Sequence, residues 1–110
     1  MFLEKAHERM VRATNSMREN AYDSVVQEEY KAAIEIYARQ MKLNQETAAA
    51  FLENHRKEEE MIFHQAIEII DLGINLRNPS VVKCALELIS TMRKSNPEFY
   101  NKYYDIRFGR

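Results

Sequence analysis

The chain has 110 residues, 13.1 kDa, with 16 Lys and Arg against 17 Asp and Glu and a formal net charge of -1, which allows one domain, residues 1–110. Two glycines, Gly73 and Gly109, and two prolines are too few for the turns of a β-sandwich or a Rossmann-like sheet, and they leave no glycine-rich phosphate loop. The lone Cys84 cannot close an internal disulfide or anchor a Cys-based metal site, and its apolar neighbours Val81, Val82, Ala85 and Leu88 predict an inert buried thiol.

The longest apolar run, Ala48 to Leu52, falls far short of the roughly 20 residues that span a bilayer. The opening Met1 to Arg9 mixes Glu4, Lys5, Glu8 and Arg9 among its apolar residues and has no signal-peptide core. These features predict a soluble, cytoplasmic, all-α protein: a helical bundle with a long N-terminal antiparallel hairpin and two shorter C-terminal helices.

In chain order, Leu3, Ala6, Met10, Ala13 and Met17 recur at helical steps. Poor helix formers fill Thr14 to Ser24, where Ser16 with Glu19 and Ser24 with Gln27 have capping-box spacing, so the first helical region can break there. The stripe resumes through Tyr22, Val26, Tyr30, Ala33, Ile34, Tyr37 and Met41. Asn44 reads as an N-cap, with Glu46 in the first turn and Leu43 able to staple against Ala48.

From Asn44 one helix is expected to run to about Leu76, with Met61 to Ile74 buried nearly all round. Ser24 to Leu76 would then form the long hairpin. A helix of about 30 residues runs near ~45 Å, longer than a compact domain of roughly 13 to 14 Å radius of gyration covers, so part of it should meet another chain. Asn78-Pro79 and Asn96-Pro97 each place a cap before a proline at the first helical position. The helix from Pro79 carries Val81, Val82, Ala85, Leu86, Leu88, Ile89 and Met92, a face wide enough to predict a central position. The helix from Pro97 to about Phe108 is aromatic on several sides and is expected to close the bundle.

Glu53 to Glu60 contains no apolar residue. Continued through it, the helical stripe points His55 and Glu59 inward, and folding the hairpin brings Glu29 roughly opposite. Glu29, His55 and Glu59 are ingredients of a dimetal bundle site. Such bundles repeat a Glu-x-x-His pair on two helices, however, and the only one here is Glu4-Lys5-Ala6-His7. The favoured reading is a solvated charged face with ordinary i, i+4 pairs such as Glu53 with Lys57. No metal or cofactor is expected, and with no serine in a Gly-x-Ser-x-Gly elbow, no enzymatic activity either.

Two interaction surfaces remain. Tyr22, Val26, Tyr30, Tyr37 and Met41 share one helical face, and tyrosine offers stiff contact area with a polar end, as interfaces favour. These five are the predicted protein-binding residues of a small regulator, adaptor, chaperone or immunity-type inhibitor that self-associates or docks a partner. The alternative is a nucleic-acid-binding regulator, because Arg93, Lys94, Lys102 and Arg107 are interleaved with Tyr100 and Tyr104 where bases could stack. Against it, the sequence pI is about 6.3, whereas a dedicated binder lies above about 9.

Met41 to Leu52, with a Leu, a polar cap, Gln-Glu and then small residues, resembles the opening helix of helix-turn-helix repressors. No turn glycine follows Leu52, and three glutamates in His55 to Glu60 would repel phosphate, so the family is not assigned.

Overall fold

A computed structural model describes residues 2–98, 100 and 101, all in helices and short connections. Among the described residues five helices of full length follow one another: α1 (Phe2–Glu19), α2 (Ser24–Leu43), α3 (Gln45–Glu53), α4 (Arg56–Asn75) and α5 (Pro79–Ser95). The all-α bundle is as expected. Among the described residues, no helix is long and apolar enough to cross a membrane.

The first helical region does break. The α2 N-cap is Asp23, whose Oδ1 accepts from the Val25 amide at 2.8 Å and the Val26 amide at 3.4 Å. Gln27 ties the turn back by donating to the Ala21 carbonyl at 2.9 Å. This short connection folds α2 onto α1, so the first hairpin is α1 with α2.

The expected continuous helix from Asn44 to Leu76 is two helices, and the α2 to α4 hairpin does not form as such: α2 packs chiefly on α1 and α5, and α4 on α5. Asn44 does not cap α3 with its side chain. Its Nδ2 turns back to donate to the Gln40 carbonyl, at 2.8 Å, and terminates α2. Leu43 is 71% exposed and staples nothing.

The second break comes at Asn54 and His55, whose amides bond Phe51 and Leu52 carbonyls at 3.2 and 3.0 Å, while the His55 ring Nδ1 donates to the Phe51 carbonyl at 2.9 Å. The ring thus satisfies a carbonyl that a continuing helix would have bonded. With the break, the longest helices have 20 residues and the radius of gyration is 13.3 Å. The length argument for a second chain therefore falls away, and Glu53 and Lys57 belong to different helices.

Helix α4 ends with Arg77 in the left-handed region at φ 54°, the Asn78 amide reaching the Gly73 carbonyl at 2.9 Å and the Arg77 amide that of Ile74 at 3.1 Å. This paired closure satisfies the last carbonyls and turns the chain at once into α5. Asn78 and Pro79 then start α5 as predicted, Asn78 Oδ1 accepting from the Val81 amide at 3.4 Å.

The core collects Leu3, Met10 and Met17 of α1, Tyr30, Ile34, Tyr37 and Met41 of α2, Leu52 of α3, Ile62 and Ile69 of α4 and Leu88 and Met92 of α5. Each large side chain buried this fully contributes roughly 1.5–3 kcal/mol.

Candidate functional site

Helices α4 and α5 pack against each other, with Ile62, Ala66, Ile69, Val81, Ala85 and Leu88 buried, but their outer flanks stay open. On α4 the open flank carries Ile67, Ile70 and Ile74, next to the buried Phe63, and on α5 Val82, Leu86 and Ile89, all at helical steps of three or four. Between them lies a groove of about 950 Å3 walled by Phe63, Ile67, Ile70, Leu86 and Ile89, with Asp71, Arg93, Lys94 and Pro97 at its edges. A second hollow of about 490 Å3 adjoins it across Leu86 and holds Gly73, Ile74, Arg77, Val82 and Lys83.

Leu86 is 53% and Ile74 62% exposed. Singly such residues are ordinary, but here they are part of one apolar trough along a helix pair. Arg77 and Lys83 stand at the loop end and Arg93 and Lys94 at the other, against the single carboxylate of Asp71 among the lining residues. The rim is therefore positive.

Helices α4 and α5 are each less covered than the sequence suggested. Met61 to Ile74 is not buried all round, and α5, packed on α2, α3 and α4 as its wide face predicted, still leaves Leu86 and Ile89 bordering the groove. That excess width was the signal for the trough: Leu86 and Ile89 extend the apolar arc beyond what one neighbouring layer can cover.

A polar cluster lies inside the bundle. His7 of α1 is 3% exposed, and its Nδ1 is 3.1 Å from Tyr37 Oη. Its ring stands edge-on to Phe51, 5.4 Å between centroids, and to His55, 5.2 Å, while Phe51 and His55 stack at 4.3 Å. Burial, reinforced by His55, holds the His7 imidazole down to about 4, so it is neutral at pH 7. Glu59 is buried and accepts a hydrogen bond from Tyr100 Oη, and Tyr100 packs on Phe63 at 4.8 Å. Burial pushes the Glu59 carboxyl above its ordinary range, against the Tyr100 hydrogen bond, and pushes the Tyr37 and Tyr100 phenols up as well.

The residues predicted from sequence fare unevenly. Tyr30, Tyr37 and Met41 have no exposed surface and cannot form a docking stripe; Val26 is half-buried and Tyr22, 77% exposed, is left alone on that face. The shared spacing reflected a core-facing stripe, because α2 is covered by both α1 and α5. The metal alternative fails on placement: Glu29 is exposed whereas Glu59 is buried, and no three His, Cys, Asp or Glu side chains come together for an ion among the described residues. Glu59 also corrects the view of Glu53 to Glu60 as a solvated face, although the stripe had rightly pointed His55 and Glu59 inward.

Of the nucleic-acid set, Arg93 and Lys94 are exposed at the end of α5, but Tyr100 is wholly buried and offers no ring for a base; Lys102, Tyr104 and Arg107 lie outside the described residues. Most of the expected closing helix does too, Tyr100 being its one core residue described. Cys84 is half-buried rather than buried, and burial raises its thiol. No protein-family model matches the chain, and no curated protein or solved structure matches it either.

Proposed function

We propose that the chain is a non-enzymatic protein-binding module that docks an acidic amphipathic helix of a partner protein in the α4–α5 groove. The observation that carries this reading is an apolar trough along a helix pair whose lining includes Arg77, Lys83 and Lys94, with Arg93 bonded to Asn101, against one carboxylate. A helix presenting apolar residues at i, i+3, i+4 and i+7 fills such a trough, and flanking carboxylates meet Arg77, Lys83 and Lys94.

The same charge argues against two other occupants. A second copy placed groove to groove would set rim cations against rim cations. The chain's own last residues, with Lys102, Arg107 and Arg110 against Asp105, carry the wrong sign too.

The test is fluorescence anisotropy with a labelled synthetic helix of leucines at those positions flanked by glutamates, beside its lysine-flanked twin. The glutamate peptide should bind at least about tenfold more tightly, and Leu86→Asp should lose about tenfold or more, as truncation at the centre of an interface does. Equal binding of the two peptides, or an unaffected Leu86→Asp, overturns the reading.

A further inference from the structure

Glu59 and Phe63 lie one turn apart on the same side of α4, and both hold Tyr100, which follows α5. The Tyr100 hydroxyl donates to Glu59 Oε1, and its ring packs on Phe63 at 4.8 Å between centroids, leaving Tyr100 with no exposed surface. Its neighbours reach the groove. Pro97 and Asn101 line it at the Phe63 end, and Asn101 Oδ1 accepts from Arg93 Nη2 at 3.1 Å. One buried tyrosine thus joins the end wall of the groove to a carboxyl inside the bundle.

Glu59 is the weak point of that joint. It is fully buried, and its second oxygen, Oε2, has no hydrogen-bond partner. A protonated carboxyl bears such burial at modest cost, whereas a carboxylate held by a single donor bears it at a high one. Tyr37 of α2 also feels the Glu59 charge, with the neutral His7 of α1 bonded behind it. On α4 itself Arg56 favours the charged carboxyl and Glu60 opposes it; among the described residues α3 and α5 contribute no group that acts on it. Loss of water outweighs both the Tyr100 hydrogen bond and Arg56, so the carboxyl sits above its ordinary range.

We propose that Glu59 and Tyr100 form a pH-operated latch on the end wall of the groove. While the carboxyl keeps its proton, Tyr100 stays seated and holds Pro97 and Asn101 in place; when the proton passes to solvent, Tyr100 leaves its seat and water reaches the carboxylate. Glu59 holds its proton more tightly latched than solvated, so between those two pKa values each pH unit favours release by up to about tenfold, and above the higher one the effect is complete. Release takes Pro97 and Asn101 from the groove wall and weakens a docked helix. That consequence rests on the docking reading, whereas the latch itself does not.

The test reads the Tyr100 ring of the whole chain by carbon-resolved proton NMR with a neutral, soluble gadolinium chelate, which broadens solvent-exposed protons, from pH 4.5 to pH 8. The Glu59 carboxyl carbon is followed in the same samples, and Tyr30, equally buried and with a hydroxyl that does not feel Glu59, is the reference. Broadening of Tyr100 should rise about threefold or more, with the midpoint of the carboxyl titration, while Tyr30 stays protected. In Glu59→Gln, Tyr100 should stay protected throughout. A Tyr100 ring as protected at pH 8 as at pH 4.5, a midpoint apart from that of the carboxyl, exposure of Tyr30 in step with it, or the same release in Glu59→Gln overturns the latch. The glutamate-flanked helix should lose more affinity over this range in the parent than in Glu59→Gln; failure of that helix to bind at any pH counts against docking alone, because the ring measurement uses no peptide.

Discussion

Gly73 lies in the last turn of α4, where α5 begins to pack against it. A methyl group built there would sit 2.5 Å from Val82 Cγ2 and 3.5 Å from the Asn78 carbonyl oxygen. Carbon atoms in contact prefer roughly 3.5–4.0 Å, so one of them must move by about 1 Å. Val82 cannot swing aside cheaply, because a β-branched side chain in a helix is held in one rotamer. The helices cannot part there either, since the Arg77–Asn78 closure and the Asn78 cap bind them together.

Gly73→Ala gains about 1 kcal/mol of helix propensity and meets an overpacking penalty of about 1–3 kcal/mol. The penalty wins, for a net loss near 1 kcal/mol. In a Val82→Ala background the obstruction is gone and the same change should stabilise by up to about 1 kcal/mol, a coupling of roughly 2 kcal/mol. Urea denaturation followed by far-UV circular dichroism measures all four corners of the cycle. A Gly73→Ala protein as stable as its parent, or the same effect in both backgrounds, refutes the packing argument.

The His7 imidazole should titrate by NMR near its lowered value of about 4. Since its folded-state pKa lies below the unfolded 6.5, it stabilises fully above that value and loses roughly 3 kcal/mol as pH falls from 6.5 to 4. A titration near 6.5 contradicts its burial. Glu59 works in the opposite sense: its raised pKa makes it most favourable below 4.5 and progressively unfavourable as pH rises through the folded value. Glu59→Gln keeps an acceptor for Tyr100 and should be more stable than the parent at pH 8 with a flatter pH profile; a less stable variant at pH 8 would show the charge to be favourable. Arg77→Gly relieves the left-handed backbone and should raise stability by about 1 kcal/mol, or about 4 °C, while weakening the glutamate peptide about threefold through loss of a rim cation. An unchanged melting temperature removes the strain argument, and an unchanged affinity removes the cation from the rim.

Much of the fold was legible because helical periodicity and capping are local signals. Leu3, Met10 and Met17 follow from spacing, the Asn78-Pro79 start from its cap and proline, and Glu59 lies inward as the stripe indicated. The break at Asn54 and His55 was not legible, for neither proline nor glycine marks it and the ring bond to the Phe51 carbonyl depends on the side chain's final pose.

The tyrosine stripe shows the limit most clearly. Spacing tells that Tyr30 and Tyr37 share a face, but which neighbour covers that face is a long-range fact, fixed here by α1 and α5 together. The groove is the reverse case: Leu86 and Ile89 looked like core, and only the arrangement of helices leaves them open.

The docking account is tested most directly by amide chemical-shift mapping of the whole chain as the glutamate-flanked helix is added. Shifts concentrated at Ile67, Ile70, Ile74, Val82, Leu86 and Ile89, and abolished by Leu86→Asp, are the predicted result. Shifts elsewhere, or a groove that already gives the same self-association shifts on concentrating the protein without peptide, would contradict it.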